Sequence, residues 1–294
     1  MKPFLLLLLL MLVYPVWAQD EEPEPLHRVT NNSLVAAFEV GTTTYLLADR
    51  VNIRTTPSSK SAVVVNLPIG TALKILAETD NKLRLNGFRA PWYKVSFAAV
   101  EGVSTGYVWG GLLALGSFSS SKDKGVMFLY GLADIKIKKG EEYPRATIQI
   151  RACKKNKELS RIKIPSVGNR NIYHQFSNYG NRGVKNIEDV LEYSESQEFC
   201  GGENPTTVIF WDGKVLHHVT TLYYMGDPPV FAYRKLIYPT DAGGKASRII
   251  VETVEGWYDE EKQEDVIETH KKVAYVWGGR ELEEFSVLLD KKTK

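Results

Sequence analysis

Apolar and polar residues alternate with a period of two along most of this chain, which is the signature of half-buried β-strands. Val51 and Ile53 alternate with Asn52 and Arg54, and Thr55-Thr56-Pro57-Ser58-Ser59 ends that run with turn formers. Val63, Val64, Val65 and Leu67 form a second run, closed by the tight turn Pro68-Ile69-Gly70-Thr71. Leu73, Ile75 and Ala77 alternate again, and residues 92–97 and 106–109 supply two more strands. Strands this short and this closely spaced predict a small barrel or sandwich over residues 40–116.

The pattern resumes after a polar, Ser-rich stretch at 117–125, which reads as a linker. Residues 126–130 are a buried run. Ile135 and Ile137 alternate with lysines, and Ala146, Ile148, Ile150 and Ala152 alternate with Thr147, Gln149 and Arg151. Ile162, Ile164 and the runs 233–238, 248–254 and 266–277 follow. Asp212-Gly213, between residues 208–211 and Val215-Leu216, predicts a type I′ hairpin. Residues 184–191 are ambiguous, because Val184, Ile187, Val190 and Leu191 fit a helix face in β surroundings. Residues 126–290 are therefore read as one β-rich domain. Trp211-Asp212-Gly213-Lys214-Val215-Leu216 is echoed by Trp277-Gly278-Gly279-Arg280-Glu281-Leu282. That echo leaves both an ordinary sandwich and a propeller-like meander open for this domain. The fold class is all-β: a small barrel followed by a larger antiparallel domain.

The order of pieces in the first module resembles the bacterial SH3 (SH3b) family. That family has a Val-Asn-Ile-Arg strand followed by a proline-containing loop, here Val51 to Arg54 with Pro57. A Leu-x-x-Gly-Thr turn, a Trp-Tyr-Lys-Val strand and a Gly-Tyr-Val strand follow, here Leu67 to Thr71, Trp92 to Val95 and Gly106 to Val108. The resemblance covers about 70 of the 294 residues. It implies a non-catalytic binding module of bacterial envelope proteins, directed at cell-wall or protein peptides. One departure is the long connection 80–91, which places Lys82, Arg84 and Arg89 near Phe88 and reads either as a ligand-contacting loop or as a longer hairpin with solvated charges. Tyr45, Tyr107 and Trp109 are read as surface aromatics of a ligand face. Arg54 and Arg89 are read as partners for a peptide carboxylate. Trp92 is assigned to the core, and strand alternation then turns Tyr93 outward onto the ligand face.

Lys2, the apolar run 4–13 and the small residues before position 19 form a signal peptide at 1–18. Residues 19–39 open with an acidic, proline-containing stretch and read as a flexible leader. The chain is thus expected outside the cytoplasm, periplasmic or secreted, with no membrane span. The net charge of +2 gives no reason to expect nucleic acid as a partner. In an oxidising compartment the two cysteines, Cys153 and Cys200, are read as a disulfide pair, with two buried thiols as the alternative. An envelope cysteine hydrolase using Cys200 with His217 or His218 is the competing functional reading. It is disfavoured because Gly201, Gly202 and Pro205 argue against a helix start after the thiol. A structural protein without ligand is the third reading. No cofactor is expected, and the five histidines lack metal-ligand spacing. The acidic stretch 259–265 lacks a calcium-loop ladder and reads as a solvated hairpin tip.

The first expectation is processing. Exported protein should begin at Gln19, as read by N-terminal sequencing, and a retained leader would contradict the assignment.

Overall fold

The structure, a computed structural model, describes residues 23–31, 35, 37–100, 102–136, 145–166, 172–197, 204–227 and 229–292. The signal-peptide segment 1–18 and Cys200 lie outside the described residues. Those residues form nineteen strands and, as helix, only a 3₁₀ turn at Gly110–Leu112. The all-β reading holds.

The barrel is a six-stranded antiparallel sheet in the order β2-β5-β6-β7-β3-β4. Its strands are β2 (Thr43–Tyr45), β3 (Val51–Arg54), β4 (Val63–Leu67), β5 (Ala72–Leu85), β6 (Phe88–Ala99) and β7 (Gly102–Trp109). Leu46, Val51, Ile53, Leu73, Ile75, Tyr93, Val95, Phe97 and Val108 fill its interior. The alternation of β3 is met in full, with Val51 and Ile53 buried and Asn52 exposed.

The remaining strands make a two-layer sandwich. One layer is a four-stranded sheet in the order β11-β10-β9-β8, built from β8 (Gly116–Ser119), β9 (Val126–Lys136), β10 (Arg145–Lys154) and β11 (Lys157–Ser166). The other is a nine-stranded antiparallel sheet in which β12 through β19 follow one another as a meander, with β1 (His27–Asn31) added at the β12 edge. The meander strands are β12 (Ile172–Asn178), β13 (Asp189–Gln197), β14 (Asn204–Trp211), β15 (Leu216–Asp227), β16 (Val230–Ile237), β17 (Ile249–Asp259), β18 (Glu264–Trp277) and β19 (Leu282–Lys292). Aromatic rings cement the layers: Phe118 lies 4.5 Å from Phe176, Tyr130 5.2 Å from Phe176 and Phe128 5.7 Å from Trp211. The second domain is thus a sandwich whose larger sheet is a meander, with no repeated blades among the described residues.

The tryptophan echo is a shared turn. Gly213 and Gly279 both have φ of +92°, and the N–H groups of Asp212 and Gly278 donate to the carbonyls of Val215 and Glu281. Only the first central residue is left-handed, since Lys214 is not. This matches a II′ hairpin with glycine at that position, not the I′ turn expected from Asp-Gly. Asp212 sits one place earlier, and its Oδ1 accepts the N–H groups of Lys214 and Val215. Residues 184–191 are not helical: Val184 and Ile187 are buried in a turn-rich segment that leads into β13 at Asp189.

Two boundary expectations are corrected. The leader is structured from residue 26: Leu26 N–H donates to the Asn178 carbonyl, and β1 pairs with β12. The Ser-rich segment is no free linker. Its first residues are β8, and Ser120 and Ser121 serve Asp189, a fully buried carboxylate. Ser120 Oγ donates to it at 2.5 Å, the Ser121 N–H at 2.8 Å and Asn178 Nδ2 at 2.9 Å. Serine is needed there because a buried carboxylate requires donors.

The barrel and the sandwich share a core. The far half of the β5–β6 hairpin leaves the barrel and lays Leu83, Phe88 and Ala90 on the sandwich, in one cluster with Trp92, Trp109, Phe128 and Ile148. Its tip, Asn86-Gly87, has φ of +53° and +83°, the pattern of a I′ turn. The Asn86 carbonyl accepts the Ile135 N–H at 2.9 Å, and a Cβ on Gly87 would fall 1.8 Å from the Ile135 carbonyl oxygen. A second seam joins Leu47, Ile69 and Ala114 to Leu129 and Cys153. There Asn156 Nδ2 donates to the Ile69 carbonyl at 3.1 Å.

Because Tyr93 fills the barrel and Trp92 fills the seam, Tyr93→Ala and Trp92→Ala should each destabilise the full chain. Large-to-small core changes of this kind cost about 3–5 kcal/mol. Chemical denaturation measures both, and a near-neutral Tyr93→Ala would contradict the barrel assignment.

Candidate functional site

The residues assigned to a ligand face on the barrel do not form one surface. Tyr93 is fully buried: its ring meets Phe38 edge-on at 5.3 Å, and its hydroxyl donates to Glu78 Oε2 at 3.0 Å. Burial, followed by the neighbouring carboxylate, pushes its hydroxyl up to about 12. Trp109 is 2% exposed, stacked on Phe88 at 5.1 Å, and its indole N–H donates to the carbonyls of Leu83 and Ala90 at 3.1 Å each. Both are corrections to the surface reading. Trp92 is buried as expected, but in the seam with the sandwich, on the opposite side of β6 from Tyr93. Both sides of that strand are covered, so alternation could not single out an outward residue. Tyr45 and Tyr107 are half-buried against the two seams. Arg54 pairs across the sheet with Tyr107, and its guanidinium donates to the Ser61 carbonyl.

Arg89 is on the surface, and its setting gives the barrel its open face. It stands directly opposite Arg84 in the β5–β6 ladder, next to the Lys82–Pro91 pair. The pairs Leu83–Ala90 and Leu85–Phe88 alternate with them, and of these Leu83, Phe88 and Ala90 pack toward the sandwich while Leu85 stays exposed. The hairpin therefore turns an apolar face inward and a basic face outward. Among the described residues, Lys82, Arg84 and Arg89 have no ion-pair partner, and like charges directly opposed on a strand pair are unfavourable. The long connection noted in the sequence is thus a hairpin whose outer face carries unneutralised cations.

Cys200, on which both the disulfide and the hydrolase readings turn, lies outside the described residues, whereas Cys153 and the histidines can be placed. Cys153 is a buried free thiol facing Gly70, and burial, then the Glu158 charge, pushes it up to about 11. Such a thiol is the reverse of an activated nucleophile. His217 Nε2 lies 2.8 Å from Asp212 Oδ2, and its ring packs edge-on against Trp277. The acidic stretch 259–265 is the β17–β18 turn, where Asp259 Oδ1 accepts the N–H groups of Glu261 and Lys262. Among the described residues no cluster of histidine, cysteine or acidic side chains could hold a metal ion, and no helix is long and apolar enough to cross a membrane.

A second feature was not legible in the sequence. A cleft of about 890 Å³ opens on the meander, walled by Tyr179, Tyr224, Tyr233 and Tyr238 and by a polar network centred on Glu252. Glu252 accepts hydrogen bonds from His270 Nε2 at 2.7 Å and Lys272 Nζ at 2.9 Å, with Lys235 Nζ at 3.5 Å. Arg182 pairs with Asp241 and lies over the Tyr238 ring at 4.4 Å. Network members come from three adjacent strands and coincide only through register, Lys235 opposite Glu252 and Glu252 opposite Lys272.

A small antiparallel barrel of this strand order defines the class of the first module. Residues 49–114 match the family model of the bacterial SH3 domain, so the barrel is a bacterial SH3 domain, which supports a ligand-binding role in general. No curated protein and no solved structure matches the chain.

The Glu252 network sets a pH dependence. Burial pushes this carboxyl up, but the hydrogen bonds from Lys272 and His270 and the charge of Lys235 outweigh it, so it sits below the ordinary glutamate range. A depressed folded value stabilises the fold above the unfolded value, and that stability is lost as pH falls through the folded one. Wild-type protein should therefore lose stability on acidification below about pH 4 more steeply than Glu252→Gln, as read by thermal melts across pH. Parallel curves would contradict the network's role.

Proposed function

We propose that this chain is an extracytoplasmic, non-catalytic binding protein of a bacterial envelope. Its SH3 domain recognises a carboxylate-bearing peptide of the cell wall or of an envelope protein. The observation that carries this reading is the outward basic face of the β5–β6 hairpin, where Arg84 and Arg89 stand opposed without an acidic partner among the described residues. An anion relieves that opposition, and guanidinium groups bind carboxylates with two parallel hydrogen bonds. The rigid docking of the hairpin's other face fixes the arginines in place, which lowers the ordering cost of binding. Localisation rests on the leader at 1–18, and the non-catalytic reading is supported by the match of residues 49–114 to a bacterial SH3 domain, a binding module.

The test is retention of the full chain on isolated peptidoglycan. Wild type should be retained at low salt and released as salt rises. Arg84→Glu/Arg89→Glu should lose retention about tenfold or more while melting like the wild type, as exposed charges typically permit. Retention that survives charge reversal, or its absence in the wild type at low salt, would overturn the reading.

A further inference from the structure

The cleft on the meander lies where the sheet comes apart. β15 and β16 pair only at their tips, from Tyr224–Tyr233 to Asp227–Val230. Beyond Tyr224 β15 continues on β14 alone, and beyond Tyr233 β16 continues on β17 alone. The facing edges of residues 220–223 and 234–237 have no partner strand among the described residues. A strand that lines a cavity with its face contributes every second residue. Here Leu222, Tyr223 and Tyr224 line it in succession, as do residues 233–238, so the two strands present their edges.

Along each such edge alternate residues aim N–H and C=O groups into the gap, where they need partners. Tyr238, at the inner end of β16, is 2% exposed, and its hydroxyl has no hydrogen-bond partner among the described residues. The wedge is held open from the side. Arg182 and Asp241 clamp the two loops that follow β12 and β16, and Val184, Ile187 and Tyr238 pack with Leu222 and Leu236.

We propose that this wedge is a strand-insertion site: an extended peptide enters between β15 and β16 and completes the ladder on both edges. Its backbone supplies the missing partners, and pockets for alternate side chains select its sequence, as in other strand-addition complexes. Tyr224 and Tyr233, opposed at the apex, take an apolar or aromatic side chain. Lys235 and Lys272 share Glu252, and Glu24, Glu192 and Asp241 balance the other cations of the lining, so an uncharged polar side chain is accepted deeper in. This site goes beyond the barrel reading and does not depend on it.

The test pans the full chain against a phage-displayed library of random dodecapeptides, and selected sequences are made as synthetic peptides. Binding should slow amide hydrogen exchange at residues 220–223 and 234–237. N-methylation of any single central peptide amide should weaken binding about tenfold, because an inserted strand uses all of its N–H groups. Tyr233→Ala should weaken it as well, whereas Arg84→Glu/Arg89→Glu should not. The proposal is overturned if no peptide is enriched, if protection falls elsewhere, if N-methylation is tolerated, or if barrel charge reversal rather than the wedge variant abolishes binding. Wild-type protein that binds the wedge peptide but is not retained on peptidoglycan at low salt would count against the barrel reading alone.

Discussion

Burial of the β5–β6 hairpin's apolar face is the interaction on which the rest of the structure depends. That hairpin is longer than the barrel can use, and its far half carries Leu83, Phe88 and Ala90 on one side. Left in water, such a face would expose a continuous apolar patch of the kind small soluble domains avoid. The sandwich covers it, and the covering is specific. The Asn-Gly turn brings its carbonyl against the backbone of β9, and glycine is required because no side chain fits there. Trp109 closes the gap from the barrel side with its indole N–H satisfied by two hairpin carbonyls. Burying a tryptophan of that size is favourable only because its one polar group finds partners.

This docking decides what remains free for function. Aromatic residues that would suit a ligand face are spent on the seam, and the outer side of the hairpin is left to arginine and lysine. The sandwich meets a second constraint. Its nine-stranded sheet is long, and a twisted sheet of that size curls or splits rather than staying flat. It splits between β15 and β16, where the Arg182–Asp241 clamp and the packed loop residues fill one end and leave a cleft at the other. Function is therefore sought at two places fixed by packing: a charged face that docking cannot cover, and a gap that sheet twist cannot close.

Strand positions were legible because a period of two survives wherever one face is polar, as in β3 and β10. The SH3 module was legible through five short pieces in order. What escaped the sequence was which side each residue serves once both sides are buried. Trp92 and Tyr93 are both apolar neighbours of covered faces, so alternation separates them without saying which is inside the barrel. The serines at 119–121 looked like linker composition, yet serine is also what a buried Asp189 needs, and that carboxylate lies far away in the chain. The cleft was invisible for the same reason. Lys235, Glu252 and Lys272 meet only through register across three strands, and no local pattern announces them.

The central claim is that barrel and sandwich are one cooperative unit held by the hairpin seam. Scanning calorimetry of the full chain tests it most directly. The account predicts a single transition whose calorimetric and van't Hoff enthalpies agree, as for one cooperative unit. Two resolved transitions, with one reproduced by the isolated segment 40–116, would contradict it.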